Sequence, residues 1–169
     1  MQAPSDIRLT PTSYIVLGLV AAGGETTPYE LKRVVAASVG NFWSLQHAQL
    51  YTEPERLARA GYLVEDREET GRRRKRYRVT AAGRAALRRW LATPKPEVTE
   101  LRDVGLLQLF FGADPAALAE VRLPAHRAKL AEYERLAGLD MPAGARLALE
   151  SGIGHEREWV RFWSRLTRR

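Results

Sequence analysis

The sequence contains no cysteine. That excludes disulfides, thiolate nucleophiles and cysteine-based zinc sites together. No apolar run reaches about 18 residues, the length a helix needs to cross a bilayer. Histidine is scarce, and His47, His126 and His155 are far apart. His155-Glu156-Arg157-Glu158 is not the His-Glu-x-x-His pattern of a zinc helix. There is no Ser-His-Asp order, no glycine-rich phosphate loop and no spaced carboxylate pair. The acids at Glu65-Asp66 and Glu68-Glu69 read as a solvated edge. No catalytic residue, metal or cofactor is expected, and the chain is not read as an enzyme. Residues 1–10 lack the basic-then-apolar order of a signal peptide. A cytoplasmic location without a membrane partner is the expectation.

What is present is apolar and basic. Hydrophobic residues make up 45% of the 169, enough to bury a core. The net charge is +7, and its position is more informative than its size. Between Arg67 and Arg89 there are ten basic residues against two acidic, a local +8, which leaves −1 for the rest. One concentrated basic surface points to a polyanionic partner rather than to a diffuse coat.

Local signals set the order of elements. Thr10-Pro11 opens an apolar helix that Gly23-Gly24 closes. Thr27-Pro28-Tyr29-Glu30 is a capping box, followed by Leu31, Val34 and Val35 at helical spacing. A third helix is predicted over 44–60, with Leu45, Leu50 and Leu57 inward and Gly61 as its C′ residue. Tyr62–Val64 and Arg76–Val79 read as the strands of a hairpin with Gly71 at its basic tip. Thr80 caps a fourth helix through Leu91. Thr93-Pro94-Lys95-Pro96 is a stiff break. Helices are predicted beyond it over 101–111, from Asp114-Pro115 to about Leu139 with a break or kink at Pro124, and over 144–166. The class is mainly α with a small β-hairpin wing: a winged helix-turn-helix over residues 10–92 and a helical dimerisation and effector domain over 101–169. In that architecture the third helix enters a major groove and the wing reaches the neighbouring backbone.

The ordered set of motifs resembles the PadR family of transcriptional regulators. It consists of Ile15-Val16-Leu17-Gly18-Leu19, Thr27-Pro28-Tyr29-Glu30-Leu31, Phe42-Trp43, Gln49-Leu50-Tyr51, Arg56-Leu57 and Ala60-Gly61-Tyr62-Leu63. The wing stretch from Gly71 through Arg84 and the segment from Leu149 to Trp159 complete it. The family usually has Tyr-Pro-x-Leu where this chain has Tyr51-Thr52-Glu53-Pro54. Pro54 removes one helical hydrogen bond and is expected to kink the third helix.

Duplex DNA is the partner this reading implies, in the form of an inverted-repeat operator. Gln46, His47, Gln49, Tyr51 and Thr52 on the third helix offer groups for base edges and phosphates. Arg72, Arg73, Arg74, Lys75 and Arg76 of the wing supply phosphate contacts. Thr27, Tyr29 and Lys32 of the second helix face the backbone, and amides at its N-terminus can meet a phosphate. Trp159, Phe162, Trp163 and Leu166 fall at i, i+3, i+4 and i+7, one large apolar face. It reads either as intrachain core or as a homodimer surface, with a ligand pocket as the weaker option. The family resemblance implies dimerisation there. The expected function is that of a sequence-specific dimeric regulator, a repressor released by a small-molecule effector. The rival class is a winged-helix protein that binds nucleic acid without sequence preference.

Overall fold

The computed structural model describes residues 7–67, 74–96, 98 and 100–167. The chain parts between residues 97 and 98 into two compact units.

In the first unit, α1 (Pro11–Gly23) is the central element. Thr10 and Ser13 close a capping box at its start. Ser13, Val16, Leu17 and Val20 repeat at helical spacing and are all buried. Around them close Leu31 of α2 (Pro28–Ala37), Leu57 of α3 (Gln49–Arg59), and the strand residues Leu63, Tyr77 and Val79. Burying each such side chain stabilises the fold by about 1.5–3 kcal/mol, so this cluster is the main support of the unit. The sheet has three antiparallel strands in the order β1-β3-β2, with β1 at Glu25–Thr26, β2 at Leu63–Arg67 and β3 at Lys75–Val79. Leu63 pairs with Val79 and Arg67 with Lys75, so the hairpin register is fixed along its whole described length. The short strand β1 pairs with β3 on the other edge, a strand the sequence reading lacked. From Thr80, α4 (Ala81–Leu91) leaves the hairpin.

Two details of α3 differ from expectation. The helix begins at Gln49, not Ser44. Residues 46–51 wind in through short i to i+3 bonds, and the Gln49 side chain accepts from the Gln46 amide at 3.1 Å. That reciprocal pair marks the start; Ser44 makes no such cap. The second difference is Pro54. The helix runs through it unbroken, and Leu50, Pro54 and Leu57 form its buried face. The proline ring takes a core position, at the cost of the hydrogen bond its own amide would have made. The helix ends as expected: Gly61 has φ 80°, its amide donates to the Ala58 carbonyl, and the Tyr62 amide donates to the Leu57 carbonyl. This is a Schellman cap, which needs a residue able to adopt the left-handed region.

The second unit holds α5 (Val104–Phe110), α6 (Pro115–Ala137) and α7 (Ala143–Leu166). Asp103 and Asp114 cap the first two. Helices α6 and α7 form an antiparallel hairpin around Ala119, Leu123 and Trp163. Pro124 does not break α6; it sits on the exposed face, where the carbonyl it leaves unpaired can reach water.

Candidate nucleic-acid interface

Most of the residues singled out from sequence lie in the helix-turn-helix and its wing. Gln46, His47, Gln49, Tyr51 and Thr52 are all exposed, the first two in the turn entering α3 and the others on its first turn. The buried face of α3 is separate from them, so the core consumes none of these side chains. Thr52 donates back to the Ala48 carbonyl at 3.1 Å. Phe42 and Trp43, in the connection between α2 and α3, are also exposed large aromatics.

The orientation of α3 is set by a buried polar network. Ser13 of α1 has no exposed surface, and its hydroxyl donates to Glu53 Oε1 at 2.6 Å. Arg56 grips the same carboxylate with two nitrogens, at 2.7 and 2.9 Å, and also donates to Ser13 Oγ. The hydrogen bond to Glu53 raises the Arg56 pKa, against the opposing effect of partial burial. The fork geometry of arginine makes this a directional lock between α1 and α3. Sequence reasoning missed it, although Glu53 and Arg56 stand three apart, a pairing distance on a helix.

On α2, Tyr29 is exposed and Lys32 partly so. Thr27 is engaged in its cap: Glu30 Oε2 accepts from the Thr27 amide at 2.8 Å and from its hydroxyl at 2.9 Å. The Glu30 carboxylate thus takes up the Thr27 amide and hydroxyl at this N-terminus. Those bonds, backbone first, lower its pKa, with the charges of Arg76 and Arg33 adding to the effect.

The wing is less uniformly available than its charge suggests. Arg72 and Arg73 lie outside the described residues. Arg74 is exposed and Arg76 half-buried. Lys75 points to the same side of the hairpin as Tyr77. Its ammonium is paired with Glu55 of α3 and lies 3.7 Å from Glu65 of β2. Arg67 bonds Glu65 at 2.8 Å and Arg78 bonds Asp66 at 2.9 Å. Burial alone would raise the Glu65 pKa; the bonds from Arg67 and Tyr77 and the Lys75 charge outweigh it and hold the carboxyl low.

In the second unit, Trp163 is fully buried within one chain, while Trp159, Phe162 and Leu166 pack on that core half-buried. Trp159 stacks between His126 at 5.5 Å and Trp163 at 6.2 Å. The large exposed apolar surface here belongs to α5 and its end: Val104, Leu107, Phe110 (82% exposed) and Phe111 (77%). Among the described residues no group of three or more histidines or acids could hold a metal, and no helix is long and apolar enough to cross a membrane.

A three-helix core, a hairpin in a three-stranded sheet and an exposed third helix define a winged helix-turn-helix fold, followed by a helical second unit. The model of the PadR-like family of transcriptional regulators matches residues 16–89 of this chain. The chain is 26% identical to the negative transcriptional regulator PadR of Bacillus subtilis over 165 residues, covering 87% of this chain and 90% of that protein. Two solved structures share its fold. Bacillus subtilis PadR in complex with operator DNA superposes with a TM-score of 0.82 at 22% identity, covering 95% of this chain and 98% of that one. The Vibrio cholerae virulence activator AphA gives 0.69 at 23% identity, covering 92% and 95%.

Proposed function

We propose that the chain is a dimeric, sequence-specific DNA-binding repressor. The observation that carries this reading is the exposed polar edge formed by Gln46, His47, Gln49, Tyr51 and Thr52, mounted on a helix that the Ser13–Glu53–Arg56 network holds still. Gln and Thr side chains offer the donors and acceptors that major-groove base edges match, and a locked helix presents them in one geometry. Arg74 and the other arginines of the wing add sequence-independent phosphate attraction. The Bacillus subtilis relative is a negative regulator whose structure has been solved with operator DNA and, separately, with p-coumaric acid at 24% identity and a TM-score of 0.75. These support a repressor that a small molecule releases. Release requires unequal affinity of that molecule for the bound and free forms.

A second copy is the natural cover for the apolar face of α5, joined by the half-buried edge of Trp159, Phe162 and Leu166. Two-fold pairing makes the preferred site an inverted repeat. The action takes place on chromosomal DNA, hence in the cytoplasm.

Selection of bound fragments from the source genome tests the reading. The expected result is enrichment of a short inverted repeat upstream of a gene. Gln49→Ala with Tyr51→Ala should weaken binding to that repeat by on the order of tenfold or more, and binding to mixed-sequence duplex far less. Retention of all fragments alike would instead favour a binder without sequence preference.

A further inference from the structure

The basic wing residue that sequence reads as a phosphate contact is placed otherwise by the structure. Three elements converge on one shallow cleft lined by Glu55 and Arg59 of α3, Glu65 and Arg67 of β2, and Lys75 of β3. Glu65 is the anchored member. Its Oε2 accepts from the phenol of Tyr77 at 3.0 Å, and Tyr77 is fully buried in the core of the unit. Its Oε1 accepts from Arg67 and faces the Lys75 ammonium at 3.7 Å. Lys75 then reaches across to Glu55 Oε1, while Arg59 lies 3.8 Å from the other oxygen of Glu55. Glu55 stands one helical turn beyond Tyr51 on α3. Lys75 is the first residue of β3, paired with Arg67 in the last rung of the described hairpin.

We infer that Lys75 is a positioning residue: a clamp, closed on Glu55 and Glu65, that fixes the angle of the wing relative to the recognition helix. The inference rests on the DNA-binding reading above and assigns this cation a different part in it. Three observations converge. Lys75 alternates with Tyr77 and Val79 toward the core side of the strand, away from the face of Arg76 and Arg78. Its side chain is only 28% exposed. A cation already shared by two carboxylates has little net charge to offer a phosphate, and its transfer would leave those carboxylates facing each other beside the DNA. The clamp also joins the two parts that must meet one duplex at a set separation, one reading a groove and the other the flanking backbone. Holding that separation before binding removes an ordering cost from association.

The two roles predict opposite signs for one substitution. If Lys75 touches a phosphate, Glu55→Gln removes a repelling carboxylate and frees the cation, so binding tightens. Lys75→Met then weakens binding and lowers the salt slope by about 0.9. If Lys75 is a clamp, Glu55→Gln and Lys75→Met each weaken binding to the selected inverted repeat by on the order of threefold to tenfold. The salt slope stays put, and the double variant is no weaker than the weaker single one. The exchanged pair Lys75→Glu with Glu55→Lys, which restores the 55–75 ion pair but sets a carboxylate beside Glu65, should recover part of the loss. Tightening by Glu55→Gln, or a Lys75→Met loss that follows the salt slope, overturns the clamp. Hydrogen exchange on the DNA-free full chain separates this from a failure of the DNA reading. Amides of β3 should exchange faster in both single variants and return toward the parent rate in the exchanged pair. Unchanged exchange refutes the clamp whether or not the protein binds DNA.

Discussion

Gly83→Ala is the sharpest test of the packing described here, because helix propensity and local space pull in opposite directions. Gly83 lies in the first turn of α4 with an ordinary helical backbone, so an alanine has no conformational objection to overcome. On propensity alone, alanine favours a helix interior by about 1 kcal/mol. The added Cβ, however, would fall 2.3 Å from the Tyr62 carbonyl oxygen, 2.9 Å from Val79 Cγ2 and 3.2 Å from Leu17 Cδ2. To restore ordinary contact, α4 must retreat by roughly 1 Å. The Tyr62 carbonyl cannot yield easily. Its residue closes the Schellman cap of α3, and the oxygen itself accepts from the Thr80 amide at 3.1 Å and the Thr80 hydroxyl at 3.0 Å. Retreat of α4 carries Thr80 with it and strains both bonds.

Two weakened hydrogen bonds cost about 1 kcal/mol each, and overpacking of the core adds about 2 kcal/mol. Setting the propensity gain of about 1 kcal/mol against these leaves a net loss of about 3 kcal/mol. For a unit of this size that lowers the melting temperature by on the order of 10–20 °C. Gly18→Ala is the control. Gly18 is also helical, in α1, but its added Cβ meets nothing within 4 Å. It should stabilise by about 0.5–1 kcal/mol. Thermal unfolding followed by circular dichroism reads both variants. A Gly83→Ala protein that melts at or above the parent temperature would refute the close approach of α4 to the α3 cap.

Two further stability predictions concern charged groups. The Glu65 carboxyl has a pKa below its ordinary 4.5, so the stability it contributes is present above that value and is lost as pH falls below it. Urea midpoints compared between pH 6 and pH 3 should therefore fall less for Glu65→Gln than for the parent; equal drops would show that this carboxylate is not what titrates. Glu53→Ala leaves the fully buried Ser13 hydroxyl and the Arg56 guanidinium without their acceptor. Because Arg56 is about a third exposed and can rehydrate, the loss is discounted to about 2 kcal/mol. Chemical denaturation gives that number directly, and a change below about 0.5 kcal/mol would mean α3 is held by its apolar face alone.

Legibility in the sequence tracked the range of each interaction. The Thr27–Glu30 capping box and the Gly61 cap were readable because every partner lies within five residues. The start of α3 was displaced because the reciprocal pair that sets it, Gln46 with Gln49, is a weaker signal than the run of helix-forming residues from Ser44. Pro54 was read for the bond it removes; the surface it buries between Leu50 and Leu57 decided its place. The stripe of Trp159, Phe162, Trp163 and Leu166 was visible as an apolar face. Periodicity cannot say what covers such a face, and for Trp163 it is Ala119 and Leu123 of the same chain.

Charge shows the same division most clearly, and it yields a last prediction. Ten bases between Arg67 and Arg89 suggest ten phosphate contacts, yet the fold withdraws several of them. Arg67, Lys75 and Arg78 are each bonded to a carboxylate of the hairpin or of α3. Arg84, Arg88 and Arg89 project from α4, which packs chiefly on α1 and β3 rather than beside α3. Arg76 lies near enough to Glu30 to lower its pKa, so Arg72, Arg73 and Arg74 are the wing bases proposed for DNA. At about 0.9 counterions per phosphate, they contribute a log–log salt slope of roughly −3 per subunit, against roughly −9 if the whole run engaged. Titrating a duplex between low and moderate salt distinguishes the two. A slope near the larger value would mean that the ion pairs seen in the free protein open on binding and that charge outweighs the intramolecular pairing described here.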